Sequence, residues 1–347
     1  MTTSPGLAGA RPVASVIIPA YNAADTLPAC LAALHTQTVG RCQYELIVVD
    51  DGSQDTTAAA ARAAGAEQVL VLPHRGPAAA RNAGLAVARG SIVLLTDSDC
   101  EPAPDWLAEM LAPFDDPTVA GVKGTYRSRQ REVVARLVQC EFEERYDRLE
   151  RATCVDFVDT HSAAFRAQVL RASGGFDPAF PHANNEDVDL SYRLARAGQR
   201  LVFNRRAAVY HHHVRTWWDY LRLKAGRGRW RVVVYRYHPA KALADSYTPQ
   251  LLKVQVGLVY LAVAGGLLWL FRPWGGYLAL AALVALNLSA LPFARRVRRR
   301  DPALTIWAPV LVWVRAIAFA AGVLAGLVSL PFFRRGLPIE RGSGEHR

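Results

Sequence analysis

The chain has 347 residues, 51% of them hydrophobic, and a mean hydropathy of +0.07. It is too apolar for an ordinary soluble protein, too polar for a bare membrane bundle, and long enough for about two domains. The net charge of +11 is unevenly spread: residues 193–347 hold 25 of the 41 Lys and Arg but only 5 of the 30 Asp and Glu. A basic half beside long apolar segments points to anionic lipid head groups or lipid phosphates, and away from nucleic acid. The five cysteines, Cys30, Cys42, Cys100, Cys140 and Cys154, are odd in number and form no C-x-x-C. That pattern indicates neither a disulfide framework nor a zinc site. The N-terminus has no apolar signal-peptide core, so the catalytic part is expected on the cytoplasmic side.

Residues 1–13 read as a loose tail rich in Gly, Pro and Ala. A short buried strand follows at 16–18, a helix at about 24–35, and strands at 46–49 and 69–72. A helix over 77–89 has Pro in its first turn, and a strand covers 92–95. This β-α rhythm predicts a doubly wound, mostly parallel α/β sheet. Residues 130–150 read as a charged helix, 155–165 as strand-like, and 186–197 as a helix stopped by Gly198. Two short strands, 201–203 and 207–210, are expected to close a catalytic unit over 14–213.

Residues 214–249 mix arginines with Trp and Tyr. They are expected to lie on the membrane surface, with Arg222, Lys224, Arg227, Arg229 and Arg231 toward anionic lipid. A cut before Pro249 is therefore expected to leave a folded, donor-binding domain. Helical membrane segments are expected over 250–333. Residues 251–271 carry only Lys253 as a charge and would span about 31 Å. A turn at 272–275 leads to a second apolar stretch, 276–294. Five arginines within 295–300 then predict a cytoplasmic loop, making the first two segments a hairpin. The third segment, 306–333, carries Arg315 near its middle, which is costly in lipid. With Arg334 and Arg335 beyond it, a plain third span conflicts with the positive-inside pattern, and a bent, re-entrant or bundle-packed helix is the alternative. Gly322 and Gly326 would permit close helix contact. A basic tail, 334–347, ends the chain.

The chemistry concentrates at strand ends, where open α/β sheets bind their ligands. Pro19, Tyr21 and Asn22 follow the first strand and could line a base or ribose pocket. Asp50 and Asp51 follow the second, and Asp51 could accept from a base N–H or a ribose hydroxyl. Arg81, in Arg81-Asn82-x-Gly84, could reach a phosphate bidentately. Asp97-Ser98-Asp99 follows the fourth strand, where a D-x-D can hold a divalent cation and through it a diphosphate. Glu186-Asp187-Val188-Asp189 opens a helix, after a loop that includes Asn184 and Asn185, and can supply a general base. His211-His212-His213 follows the last strand, where one histidine beside Asp99 would suit a metal.

These ordered motifs resemble glycosyltransferase family 2, the inverting transferases of GT-A fold, over about residues 14–237. The resemblance implies that Asp51 contacts the base, that Asp97 and Asp99 serve ribose, metal and diphosphate, and that Asp187 is the catalytic base, with Glu186 beside it. It implies His211 as a metal ligand, with His213 as fallback, and Mg²⁺ or Mn²⁺ as cofactor. The expected donor is a nucleotide-diphosphate sugar. The expected acceptor is a hydroxyl on a lipid-linked or cell-envelope glycan, at the cytoplasmic membrane. A polyprenyl phosphate is the alternative acceptor, and a non-catalytic nucleotide-sugar-binding scaffold the alternative of another class. Processive relatives carry Gln-x-x-Arg-Trp, but Gly226 precedes Arg229-Trp230 here, so long-polymer synthesis is not implied.

Overall fold

The computed structural model describes residues 11–180, 185–243 and 248–330. Residues 1–10 of the expected tail, Asn184, the end of the third apolar segment and the basic tail lie outside the described residues. Eight strands form one sheet: β1 (Ala14–Ala20), β2 (Tyr44–Asp50), β3 (Gln68–Val71), β4 (Ile92–Leu95), β5 (Cys100–Pro102), β6 (Val119–Arg127), β7 (Ala163–Arg166) and β8 (Arg200–His211), in the order β3-β2-β1-β4-β7-β6-β8-β5. The pairs β3-β2, β2-β1, β1-β4 and β6-β8 are parallel. The pairs β4-β7, β7-β6 and β8-β5 are antiparallel.

β1, β2 and β4 are buried along their whole length. They are covered on both faces, which is why they read as unbroken apolar runs. The connecting helices are α1 (Leu27–His35), α2 (Thr57–Ala63), α3 (Pro77–Val87), α4 (Trp106–Leu111), α5 (Val133–Leu149), α6 (Ala167–Ala172) and α7 (Glu186–Arg196). Three sequence expectations are corrected here. Of residues 155–165, only the end enters β7, and Val155 makes an isolated bridge to Leu201. The two expected closing strands are one strand, β8, whose pairing with β6 shifts register between Lys123 and Thr125. β6 itself was not foreseen. A Cβ on its Gly124 would run into Ser162 and the Ala207 carbonyl, so glycine is required there and breaks the apolar signal.

The rest of the described chain is helical: α8 (Trp217–Tyr237), α9 (Pro239–Leu243), α10 (Gln250–Trp269), α11 (Trp274–Ser289), α12 (Leu291–Arg300) and α13 (Ala308–Ser329). Thr216 caps α8 by accepting from the Asp219 N–H at 3.1 Å. α10 and α11 form the expected hairpin. Gly265 and Gly275 let their backbones meet, and Val263, Leu267, Leu270, Tyr277 and Leu280 face outward. The expected arginine loop is helical. On α12, Arg296 pairs with Asp147, and Arg300 with Glu143 and Asp147 of α5, while Arg136 pairs with Asp301. Arg296 and Arg300 therefore rest on α5, while Arg295, Arg298 and Arg299 are exposed.

α13 packs lengthwise on α8. Gly228 lies against the Phe319 carbonyl, Gly322 against Ala225 and Gly326 against Arg229, so the small residues do bring two helices together. Arg315 binds Glu141 of α5 at 2.8 Å and Gln255 of α10 at 3.0 Å. Glu141 also accepts from Lys224 and the Tyr220 hydroxyl, each at 2.9 Å. A buried charge is tolerable when paired in this way. Two expectations change as a result. Lys224 and Arg231 are 8% and 1% exposed, so the five basic residues do not form one lipid-facing surface; Arg222 and Arg229 remain outside. A cut before Pro249 would also strip α13 from α8.

Candidate active site

The end of β2 is held by its own surroundings. Asp50 accepts from the Ser53 N–H at 2.9 Å. Asp51 is buried and accepts from the Arg75 and Gly76 N–H groups at 2.9 and 2.8 Å, with His74 at 3.0 Å. A base at this place would share the Asp51 carboxylate with that loop. Tyr21 is 45% exposed and stacks on His74 with ring centroids 4.2 Å apart, leaving an open aromatic face beside Asp51. Asn22 has φ +48° and exchanges bonds of 2.8 Å with Ser53 and Gln54. It fixes the rim of the cleft. Pro19 is buried within β1 opposite Val49, past the last rung shared with β4, where no ladder donor is needed.

The end of β4 is built differently. Asp97 meets Arg81 at 3.0 Å and His161 at 3.6 Å. Asp99 faces the Nε2 of His211 at 3.4 Å and the Cys100 thiol at 3.7 Å. The β5–β8 ladder sets Cys100 directly opposite His211, which is how residues over a hundred positions apart reach one spot. Partial burial works against charge on Asp99, but the His211 hydrogen bond and the nearby His211 and His161 rings bring its pKa down to about 2. A carboxylate beside an imidazole suits Mg²⁺ or Mn²⁺, and the Nδ1 of His211 is buried without a partner among the described residues. The residues present fit such a cation. His213, the fallback, is turned away: it bonds Gln139 at 2.8 Å and stacks on Phe142. Burial first, then His211, depresses its pKa to about 3.

α3 joins the acidic clusters. Arg81 is 2% exposed and spans Asp97 at 3.0 Å and Glu186 at 2.8 Å. Each terminal nitrogen holds one carboxylate, and its Nε has no hydrogen-bond partner among the described residues. Asn82 donates to the Phe176 carbonyl at 2.8 Å and accepts from the Phe176 N–H at 2.9 Å. Gly84 lets Ile17 of β1 pack where a Cβ would collide. The Arg-Asn-x-Gly motif is thus a clamp that sets α7 against the D-x-D.

On α7, Glu186 is held by Arg81, and Asp189 by Arg193 at 2.8 Å and His238 at 2.9 Å. Asp187 has no cation paired to it among the described residues, while Glu186 keeps one oxygen without a hydrogen-bond partner. The Asp187 side chain accepts the Val188 N–H at 2.8 Å, its one described partner. Burial first, then the nearby Glu186 and Asp159, push its pKa up to about 7. A carboxylate tuned to ambient pH is suited to take a proton. Sequence reasoning missed three contributors: His161 beside Asp97, His74 under Tyr21, and buried Lys123, which pairs with Asp159 and lies over Phe157. Burial depresses the His161 pKa to about 4, so it is neutral at pH 7.

Residues 15–174 match the family model described as glycosyl transferase family 2. The chain is 31% identical over 336 residues to the pre-mycofactocin glycosyltransferase of Mycobacterium tuberculosis, covering 89% of this chain and 64% of that protein's length. It is 35% identical over 130 residues to the undecaprenyl-phosphate 4-deoxy-4-formamido-L-arabinose transferase of Klebsiella pneumoniae, covering 35% of this chain and 39% of that one. Among solved structures, the mannosyltransferase PcManGT from Pyrobaculum calidifontis, in complex with GDP-Man and Mn²⁺, is similar with a TM-score of 0.61 and 26% identity, covering 92% of this chain and 88% of that one.

Proposed function

The chain belongs to glycosyltransferase family 2 through residues 15–174, and on that premise we propose that it is an inverting GT-A transferase working at a membrane surface. It moves a sugar from a nucleotide-diphosphate sugar to a hydroxyl of a lipid-linked or cell-envelope glycan. One observation carries this reading: Arg81 ties Asp97 to Glu186, which fixes the base-bearing helix against the D-x-D. Asp187 takes the proton of the acceptor hydroxyl, and that oxygen attacks the anomeric carbon from the face opposite the departing diphosphate. Asp97 holds the ribose, and Tyr21 with Asp51 holds the base. Asp99 and His211 would hold Mg²⁺ or Mn²⁺, which when bound supplies Lewis-acid neutralisation of charge on the leaving group. The relative solved with GDP-Man and Mn²⁺ supports both donor class and cation.

Three helical stretches, Gln250–Trp269, Trp274–Arg300 and Pro302–Ser329, are long and apolar enough to cross a membrane. In our reading the α10–α11 hairpin spans the cytoplasmic membrane. The catalytic unit, residues 14–213, sits on the side of the arginines of α12, and residues 214–249 with α13 form the layer between.

The test is a panel of nucleotide sugars with Mn²⁺, followed by product stereochemistry. Retention at the anomeric carbon, or no turnover of any donor, would overturn the reading. A second reading, a polyprenyl-phosphate acceptor, is favoured by the similarity to the Klebsiella enzyme. A phosphate with a second pKa of about 6 is largely ionised at pH 7 and needs no base. Transfer that tolerates Asp187→Asn would select it.

A further inference from the structure

We propose that the cation pocket at the end of β4 is a mixed oxygen, nitrogen and sulfur tripod of Asp99, His211 and Cys100, and that it takes thiophilic divalent cations, zinc foremost, ahead of Mg²⁺ or Mn²⁺. The inference rests on Asp99 and His211 being cation ligands, as in the proposed function; the new element is Cys100. One donor atom from each of the three residues lies within 4.8 Å of the others. The arrangement follows from the ladder: Cys100 and His211 are cross-strand partners, so their side chains leave the sheet on the same face. Asp99, next in sequence, closes the third corner. Zinc bonds of about 2.3 Å to sulfur and about 2.0–2.2 Å to nitrogen and oxygen place tetrahedral donors roughly 3.3–3.7 Å apart. Here His211 Nε2 lies 3.4 Å from one Asp99 oxygen and the Cys100 sulfur 3.7 Å from the other, so a small rotation of the carboxylate closes a tripod already within 4.8 Å.

The absence of any C-x-x-C hides such a site from a reading of spacing, because two of its ligands are brought together by strand pairing. A packed core thiol is the ordinary role of a fully buried cysteine. The carboxylate and imidazole near its sulfur set Cys100 apart from Cys140, which belongs to no such three-donor group among the described residues. Zinc stands above manganese in affinity for nitrogen, oxygen and sulfur donors, and thiolate widens that gap. On binding, the Cys100 S–H bond breaks and a sulfur–metal bond forms. The proton leaves to solvent and the metal keeps its oxidation state. With three protein ligands, one position stays open for water or a diphosphate oxygen. Zinc would then occupy the place of the cation that supports turnover and act as a competing inhibitor.

The experiment titrates Co²⁺, Zn²⁺ and Mn²⁺ into the full chain in lipid nanodiscs. Co²⁺ is read by absorption, Zn²⁺ by displacement of Co²⁺, and Mn²⁺ by its paramagnetic resonance. The wild type should show a thiolate-to-cobalt charge-transfer band. Cys100→Ser should lose the band and bind Zn²⁺ at least about tenfold more weakly, with Mn²⁺ affinity changed far less. Cys140→Ser should keep the band. Wild-type protein saturated with Co²⁺ but lacking the band overturns the inference whether or not any variant folds, and so does a band that survives Cys100→Ser. If Mn²⁺ affinity depends on Asp99 and His211 while Cys100→Ser is silent, the thiol assignment alone fails. If Mn²⁺ binding ignores Asp99→Asn and His211→Ala, the cation site of the proposed function fails with it.

Discussion

At the end of β2, Asp51 gives an oxygen to each of two backbone N–H groups in the loop that follows β3. Past the end of β4, Asp99 faces the imidazole of His211 on β8 and the thiol of Cys100 on β5. Both are strand-end carboxylates of the same sheet, and both follow an apolar run with an acid beside them or two residues back. The first is tied into the backbone of a loop, and the second is left facing side chains. The difference lies in what the next segment supplies: the turn at residues 74–76 presents backbone donors, whereas β8 presents side chains. A motif in sequence marks the place where chemistry is available, and the neighbouring element decides its kind.

The largest effect that should separate the two ends is on Asp99. Asp99→Ala is expected to abolish cation-dependent donor binding and turnover, and EDTA should act likewise. Isothermal titration with the donor checks this, and full activity in chelator would remove the distinction. Next is Asp187→Asn, with an expected loss of at least about 10²-fold in turnover and little change in donor affinity. In the wild type, kcat/KM should rise with pH through about 7 as Asp187 loses its proton, and that rising limb should vanish in the variant. Asp51→Ala should behave in the opposite manner to Asp99→Ala. It should leave Mn²⁺ affinity intact and cost about 1–3 kcal/mol of stability, because buried N–H groups lose their acceptor; thermal melts and Mn²⁺ titration together test this. The smallest effect belongs to His213→Asn. It should change cation affinity by no more than about threefold, against the tenfold or more of a lost ligand. A larger loss would return His213 to the metal shell.

The parallel half of the sheet was legible because β1, β2 and β4 are buried on both faces and so carry uninterrupted Val, Ile and Leu. β6 was not, since Gly121, Lys123 and Gly124 interrupt its pattern for reasons that exist only in three dimensions. The strand-end acids were visible as types in a position. Their partners were not. Arg81 and Glu186 are 105 residues apart, so sequence alone does not show that a side chain that looks like a phosphate ligand also braces two acidic clusters. His161 lies in a short turn before β7, where no local pattern distinguishes it. Arg315 read as a conflict within an apolar segment for the same reason: its carboxylate partner belongs to another unit.

That partner has a kinetic consequence. Glu141 and Arg315 are separated by 174 residues, and at about 5–20 residues per second a ribosome needs roughly 9–35 s to make the second after the first. α5 is complete soon after that interval begins and α8 about halfway through it, and the groove of Gly228 then waits for a helix not yet made. The Glu141–Arg315 pair thus forms only after the hairpin that precedes α13 has been synthesised. The order of synthesis ties completion of the packing around Glu141 to completion of the apolar helices.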